Sequence, residues 1–125
     1  MNPQQANKFV KDLYQAVDSK NLAYLEQKLA DRTRFRLGNH AEVTDKTQIL
    51  QSNEQFFSSI QSMRHEIADV LVAPVNSSRA KIACHGFVEY TRLDGSHHSV
   101  TFSTMLDIQD GLITDYLVFV DISEL

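Results

Sequence analysis

The chain has 125 residues, of which 42% are hydrophobic and 22% are charged, and its formal net charge at pH 7 is −4. Such a composition is typical of a single globular domain with a real core, and the acidic balance argues against nucleic acid as a partner. A single cysteine, Cys84, excludes an intrachain disulfide, and no apolar run approaches the ~20 residues of a membrane span. With no signal segment at its start, the chain is expected to be cytoplasmic, without a membrane partner.

The first part of the chain predicts two helices. Asn2 followed by Pro3 is typical of a helix start, because asparagine caps the first turn and proline needs no donor there. Apolar residues then recur every three or four positions on one face, at Ala6, Phe9, Val10, Leu13, Tyr14 and Val17. Residues 18–21 interrupt the pattern, and Asn21 can cap a second, shorter helix. The two helices are predicted to form a hairpin.

The remainder predicts one strand, a third helix and then strands only. Residues 31–37 alternate between arginine and other side chains, which indicates a strand with one polar face. Asp45 resembles the start of a capping box and opens a third helix, whose apolar stripe extends to Met63. The Asp-Gly pairs at 94–95 and 110–111 predict hairpin turns between three long strands. This order defines an α+β class with helices covering one face of an antiparallel sheet.

Four short motifs follow one another along the chain: DSKN before the leucine-rich LAYLEQKLAD, MRHEI after the third helix, LDG in a hairpin, and DGLITDYLVFVD at the end. Their order and spacing resemble the nuclear transport factor 2-like superfamily, and most closely its SnoaL-like and ketosteroid-isomerase-like branches. The resemblance implies a cone-shaped, curved, mainly antiparallel sheet of the cystatin-like type, with the three helices of the N-terminal half closing a pocket. It also implies a homodimer formed through the sheet. Because this scaffold hosts both enzymes and binders, the fold does not define the function.

Asp121 is the one catalytic position that the resemblance preserves. In SnoaL-like cyclases an aspartate of the closing strand transfers protons, and Asp121 matches that position. The tyrosine and aspartate of steroid isomerases align with Leu13 and Leu37, so that activity is disfavoured. The Arg-x-Asp pattern of limonene-epoxide-hydrolase-like members occurs only at residues 92–94, within a hairpin turn. The alternative for Asp121 is a strand-end residue that is hydrogen-bonded to the neighbouring backbone.

His65 and Tyr14 are the candidate catalytic partners of Asp121. His65 follows the third helix, at a position that often points into the pocket of this family. The same position also suits a histidine that stabilises a helix C-terminus. Tyr14 can donate to a ligand oxygen, and its alternative is a core tyrosine with a hydrated hydroxyl.

Five apolar residues are candidates to line the pocket: Phe35, Phe57, Phe102, Leu117 and Phe119. For most of the phenylalanines, packing in the core is the alternative. If Asp121 faces the pocket, strand alternation places Leu117 and Phe119 on the same side. Val118 and Val120 then face the other way. Since both faces of this strand are apolar, each must be covered, and the simplest second cover is another subunit.

No cofactor or metal is predicted, because no spacing of histidine or cysteine supplies three or four convergent ligands. His97 and His98 follow a turn and are expected to be exposed, and Cys84 is expected to be a small buried residue. Two functions remain open. The first is a protein that binds a small, apolar or partly polar molecule and uses Asp121 for cofactor-free proton transfer. The second is a non-catalytic ligand carrier or protein-interaction module.

Overall fold

The computed structural model describes residues 1–125 as three helices and one six-stranded sheet. In chain order the elements are α1 (Pro3–Asp18), α2 (Leu22–Lys28), β1 (Leu29–Leu37), β2 (Val43–Asp45), α3 (Lys46–Ser59), β3 (Ile60–Pro74), β4 (Arg79–Arg92), β5 (His97–Gln109) and β6 (Leu112–Val120). The strand order across the curved, unclosed sheet is β2-β1-β6-β5-β4-β3. Only the β1–β6 pair is parallel. The predicted α+β class with a mainly antiparallel curved sheet is confirmed. No helix is both long and apolar enough to cross a bilayer.

Local signals in the sequence account for most of the helix and hairpin boundaries. Asn2 caps α1 in a full capping box, because its side chain accepts from the Gln5 backbone N–H while the Gln5 side chain accepts from the Asn2 N–H. Asp45 caps α3 by accepting from the backbone N–H groups of Thr47 and Gln48. The turn between β5 and β6 has positive φ at Asp110 (52°) and Gly111 (80°), the conformation that an Asp-Gly pair favours.

Helix α3 is shorter than its apolar stripe predicts. It ends at Ser59, and β3 begins at Ile60 rather than after Arg64. Ile60 and Met63 are both buried, but they are strand residues. Their helix-like spacing of three arises because the β3–β4 register shifts between Ile60 and Ser62. A register shift of one residue returns a strand side chain to the same face, which imitates helical periodicity.

The three helices lie against one face of the sheet and form a single core of 22 buried residues with it. Along β4 every even-numbered residue from Ala80 to Tyr90 is buried, whereas Lys81, His85, Phe87 and Glu89 are exposed. This two-residue period shows that the second face of β4 has no cover within the chain. The sheet thus has one face covered by the helices and one open face, and the candidate site lies on the covered face.

One partly buried ion pair links β4 to β5 and predicts a pH dependence of stability. Arg79 binds the Asp107 carboxylate through two hydrogen bonds of 3.0 and 2.6 Å, and these bonds hold the pKa of Asp107 below its ordinary value. A carboxyl whose pKa is lowered by folding contributes stability above its unfolded pKa of about 4. That contribution is lost as the pH falls through the folded pKa. We therefore expect acid titration of wild-type stability to include an Asp107 component that Arg79→Gln removes.

The measurement is urea denaturation between pH 7 and pH 2. Arg79→Gln should lower the free energy of unfolding at pH 7 and should flatten its decline below pH 4. Lys8→Gln is the matched control, because it removes an exposed pair with Asp12 on α1 and should leave the profile unchanged. Parallel acid profiles for the wild type and Arg79→Gln would contradict the assignment.

Candidate active site

A small cavity lies between α1, α3 and the covered face of the sheet. Ten of its twelve lining residues are hydrophobic. The lining comprises Tyr14, Val17, Phe35, Leu37, Asn53, Phe56, Phe57, Met63, His65, Tyr90, Tyr116 and Val118. Its volume is about 30 Å³, which is room for one or two water molecules. The site is therefore an apolar cavity that the protein's own aromatic side chains nearly fill.

His65, at the wall of this cavity, forms a partly buried pair with Asp18. The Asp18 carboxylate accepts twice from His65, from the backbone N–H at 3.0 Å and from the ring nitrogen Nδ1 at 2.6 Å. The His65 side chain is 5% exposed. Because an ionised carboxylate has no proton to donate, the Nδ1 atom carries the proton in this bond. In the neutral form of the ring, Nε2 is then an acceptor, which is the arrangement of a general base oriented by a carboxylate.

Three polar atoms of the lining have no hydrogen-bond partner within the protein: Nε2 of His65, Oη of Tyr90 and Oδ1 of Asn53. The Asn53 amide uses only its nitrogen, which donates to the Ile49 carbonyl. Every buried side-chain nitrogen and oxygen in the chain has a partner, so these three atoms are reachable by solvent. Since their residues line the cavity, we infer that a base, a hydroxyl donor and an amide oxygen face it together.

The tyrosines of the site remain protonated at ordinary pH. Burial raises the pKa of Tyr14 well above its usual value and also raises the pKa values of Tyr90 and Tyr116. Burial likewise raises the pKa of the Cys84 thiol to about 11. These groups therefore act as neutral hydrogen-bond donors, and His65 is the lining residue suited to accept a proton.

The hydroxyl of Tyr14 forms a buried hydrogen bond with the hydroxyl of Thr104 on β5, which is fully buried. Removing the Tyr14 hydroxyl leaves Thr104 without this partner in the core. We expect Tyr14→Phe to lower the free energy of unfolding by about 1–3 kcal/mol. Chemical denaturation measures this change. Tyr24→Phe on α2 is the control, because the Tyr24 side chain is only partly buried and its hydroxyl makes no hydrogen bond within the protein. Equal losses of stability in the two variants would contradict the role given to the Tyr14–Thr104 bond.

The structure brings four of the eight predicted site residues to the cavity: His65, Tyr14, Phe35 and Phe57. Phe102 is buried beside them without lining the cavity. Its ring centroid lies 5.2 Å from that of Tyr14 and 5.0 Å from that of His65. Phe102 therefore supports the two polar residues from behind.

Asp121 is outside the cavity, which corrects its expected placement. It follows the last residue of β6, is exposed, and accepts from the backbone N–H and the hydroxyl of Ser123 at 3.0 and 2.6 Å. The hydroxyl bond is the main cause that lowers the pKa of Asp121, the opposite of what burial in an apolar pocket does. The position thus matches the alternative of a strand-end residue bonded to its neighbours.

Leu117 and Phe119 also lie on the opposite face from the one expected. Tyr116 and Val118 line the cavity, so alternation along β6 directs Leu117 and Phe119 to the open face of the sheet. Phe119 is 48% exposed, and the Arg36 guanidinium lies over its ring at 5.8 Å from the centroid. Neither residue can line this cavity without reversal of the strand.

The expected exposure of His98 is corrected as well. His98 is 9% exposed, its Nε2 bonds the Asp121 carbonyl at 3.1 Å, and its Nδ1 is 3.5 Å from the Glu124 carboxylate. Its burial arises because the chain after β6 folds back over the start of β5. No group of three or more histidine, cysteine, aspartate or glutamate side chains is arranged to hold a metal.

The sequence did not predict five further residues of the site, or treated them as core: Asp18, Asn53, Tyr90, Thr104 and Tyr116. One signal for Asp18 exists in the sequence, because Asp18 follows Tyr14 by four residues and so shares its helix face. The others carry no local signal. Their roles depend on which strands become neighbours.

Comparison with known proteins identifies the fold. A candidate scytalone dehydratase from Novosphingobium aromaticivorans superposes with a TM-score of 0.83 at 9% identity, over 95% of this chain and 84% of that chain. A candidate polyketide cyclase from Xanthomonas campestris gives 0.72 at 17% identity, over 99% and 96%. Nuclear transport factor 2 from Cryptosporidium parvum gives 0.79 at 17% identity, over 94% and 93%.

The sequence itself matches no family model and no curated protein. The structural similarity is nevertheless strong across nearly the whole chain. The chain has the nuclear transport factor 2-like fold, as its motifs predicted. At such low identities this likeness concerns the fold alone, and enzymes and a transport factor share it.

Proposed function

We propose that this protein is a cofactor-free acid–base enzyme that acts on a small, uncharged molecule bound in the cavity, with His65 as the base. The observation that carries the proposal is the geometry of His65, whose Nδ1 is bound by Asp18 while Nε2 is unpartnered at the cavity wall. A buried imidazole with a carboxylate behind it and an open nitrogen in front is the arrangement that general base catalysis requires. The candidate dehydratase and cyclase of the same fold support this class.

The proposed reaction begins with removal of a proton from a carbon next to a carbonyl group. The Nε2 atom of His65 takes this proton, and Asp18 stabilises the resulting imidazolium. The C–H electron pair forms a carbon–carbon double bond, and the developing negative charge on the carbonyl oxygen is stabilised by the Tyr90 hydroxyl. In a β,γ-unsaturated ketone the proton then returns to the γ-carbon as the carbonyl re-forms, which gives the conjugated isomer. In a β-hydroxyketone the proton goes to the β-hydroxyl group, which leaves as water while the carbonyl re-forms and a carbon–carbon double bond remains next to it.

The lining restricts the ligand. Apart from His65 it contains no residue that carries a charge, so a carboxylate or phosphate group has no counter-ion there. A small, largely apolar molecule with a carbonyl or hydroxyl oxygen matches the three free polar atoms. Because Asp121 lies outside the cavity, the proposed mechanism assigns it no part.

The test is a proton-exchange screen. A panel of small cyclic ketones and β-hydroxyketones is incubated with the protein in D₂O, and ¹H NMR follows loss of the α-proton signal and formation of the unsaturated product. We expect at least one compound to react faster with the wild type than with buffer, and His65→Gln to remove this acceleration. His97→Gln, an exposed histidine on β5, is the control. No acceleration across the panel, or equal rates for His65→Gln, would overturn the proposal.

A second candidate function is a non-catalytic carrier or interaction module. The observation that favours it is the small volume of the cavity, about 30 Å³, within a wall of aromatic residues. The two candidates are separated by ligand binding. A carrier binds panel compounds with no exchange of their α-protons, whereas an interaction module binds none of them and leaves His65 Nε2 in contact with water alone.

We also propose that two copies of the chain pair through the open face of the sheet. This face carries exposed large apolar residues on adjacent strands, namely Phe87 of β4, Met105 of β5 and Phe119 of β6. Met105 pairs with Leu117 across β5 and β6, and Phe119 lies two residues beyond Leu117 on the same face, so these three residues form one apolar surface. Exposed apolar patches of this kind mark interaction sites, and a second copy is the occupant that this fold and strand pattern favour.

Sedimentation tests the pairing. The wild type is expected to sediment as a dimer at micromolar concentration, and Phe119→Glu is expected to sediment as a monomer. Leu93→Glu is the matched control, because Leu93 is an even more exposed apolar residue in the β4–β5 hairpin, outside the strands of this face. A monomeric wild type would overturn the pairing.

A cytoplasmic setting is proposed on the buried free thiol of Cys84.

A further inference from the structure

The two helices that line the cavity differ in how they are attached to the sheet. Helix α1 is connected by side-chain hydrogen bonds to two strands, from Tyr14 to Thr104 on β5 and from Asp18 to His65 on β3. It also buries six residues: Ala6, Val10, Leu13, Tyr14, Ala16 and Val17. Breaking α1 away from the sheet therefore requires loss of buried polar bonds as well as apolar contacts.

Helix α3 has no such connection. The side chains of Asn53 and Ser59 bond carbonyl groups of α3 itself, and the Asp45 carboxylate caps its own first turn. No hydrogen bond or ion pair joins an α3 side chain to another element. Its buried residues are three, Ile49, Asn53 and Phe57. Between its two ends, α3 is therefore held over the cavity by apolar packing alone.

Both ends of α3 are fixed while its middle is free. At its start, Asp45 belongs to β2, which pairs with β1. At its end, the chain enters β3 directly, and the Lys20 ammonium donates to the carbonyl groups of Ile60 and Gln61 at 3.0 and 3.1 Å. A helix held at both ends and packed weakly between them is a segment of low local stability.

Phe56 lies where α3 separates the cavity from solvent. Of the three α3 residues in the lining, Asn53 and Phe57 are buried, whereas Phe56 is half-buried and so contacts both sides. Its ring packs edge-on against Tyr90 with centroids 5.9 Å apart. Phe56 is therefore the α3 residue of the lining that is also accessible from outside.

We propose that ligands enter through α3, which moves away from the sheet, and that Phe56 is the residue that determines the size of the molecule admitted. The proposal rests on the proposed function only in taking the cavity as the ligand site. It explains how a cavity with room for one or two waters can receive an organic molecule. The polar residues on α1, β3 and β4 keep their positions while α3 moves, so the base and its partner stay assembled.

Hydrogen exchange followed by mass spectrometry tests the movement in the wild type, without a ligand. We expect central α3 peptides to exchange at least about tenfold faster than α1 peptides, because α3 opens without global unfolding. Equal protection of α1 and α3 would overturn the proposal. This result does not depend on catalysis, so an inactive protein with a fast-exchanging α3 would refute the proposed function alone.

Probe binding tests Phe56. Benzene is an uncharged probe for apolar cavities, and NMR titration measures its affinity. Phe56→Ala is expected to bind benzene at least about tenfold more tightly than the wild type, and Phe9→Ala, which truncates a half-buried phenylalanine on α1 outside the cavity lining, is expected to match the wild type. Unchanged affinity in a folded Phe56→Ala variant, or an equal gain in Phe9→Ala, would overturn the assignment of Phe56.

Discussion

The Asp18→Asn variant is expected to lose about 10²–10⁴-fold in the rate of proton transfer while it remains folded. Asp18 accepts the Nδ1 proton of His65 at 2.6 Å. An asparagine amide in its place can donate to Nδ1, which moves the ring proton to Nε2 and removes the acceptor from the cavity. It also lacks the negative charge that stabilises the imidazolium. The rate is measured with whichever ketone of the panel the wild type accelerates most.

A readout without substrate accompanies this prediction. In ¹⁵N NMR spectra the wild-type His65 ring should carry its proton on Nδ1, and the Asp18→Asn ring should carry it on Nε2. Asp12→Asn is the matched control, because Asp12 lies on the same helix and pairs only with the exposed Lys8. Full activity and an unchanged His65 tautomer in Asp18→Asn would contradict the role given to this carboxylate.

The Gly86→Ala variant is expected to lose about 3 kcal/mol or more of stability. A Cβ atom at position 86 would lie 1.9 Å from the Glu66 carbonyl oxygen and 3.1 Å from the Ala68 backbone nitrogen. Both obstacles are backbone, so the side chains cannot relieve the contact by rotating. The β3–β4 register shifts between Ile67 and Asp69, directly opposite Gly86. Glycine is therefore required where the extra residue of β3 approaches β4.

Gly95→Ala is the control for this prediction. A Cβ atom there meets nothing within 4 Å, but the φ of 87° is strained for alanine. We expect a loss of about 1–2 kcal/mol from the backbone alone. Urea denaturation at one pH measures both variants. A Gly86→Ala variant as stable as Gly95→Ala would show that β3 can move away from β4 at low cost.

The sequence predicts those features that local chemistry decides. The capping residues Asn2 and Asp45 and the Asp-Gly turn at 110–111 act over a few positions, and each has its predicted role. The position of His65 after the third helix also placed it correctly at the cavity. These signals were sufficient for the fold class. They also led to four residues that line the cavity, whose functional roles stay a prediction.

The face of β6 could not be predicted in the same way. From Leu117 to Val120 every residue is apolar, so the strand itself contains no signal for which face is covered. A shift of one residue exchanges the two faces completely. In the structure Val118 faces the cavity. Because side chains alternate along the strand, Leu117, Phe119 and Asp121 then lie away from the cavity.

The pairing of Asp18 with His65 depends on tertiary structure. The two residues are 47 positions apart and lie on different elements. Their contact requires that the last turn of α1 lie over the start of β3, which no local pattern specifies. The sequence alone therefore does not predict that Asp18 and His65 are in contact.

The central claim is that the base of this protein is His65 in the cavity rather than Asp121 at the strand end. The most direct measurement compares α-proton exchange by the wild type, His65→Gln and Asp121→Asn at the same pH, with the same ketone and with folding verified by circular dichroism. We predict that His65→Gln loses about 10²-fold or more, whereas Asp121→Asn retains the wild-type rate. Loss of exchange in Asp121→Asn with full activity in His65→Gln would contradict the account.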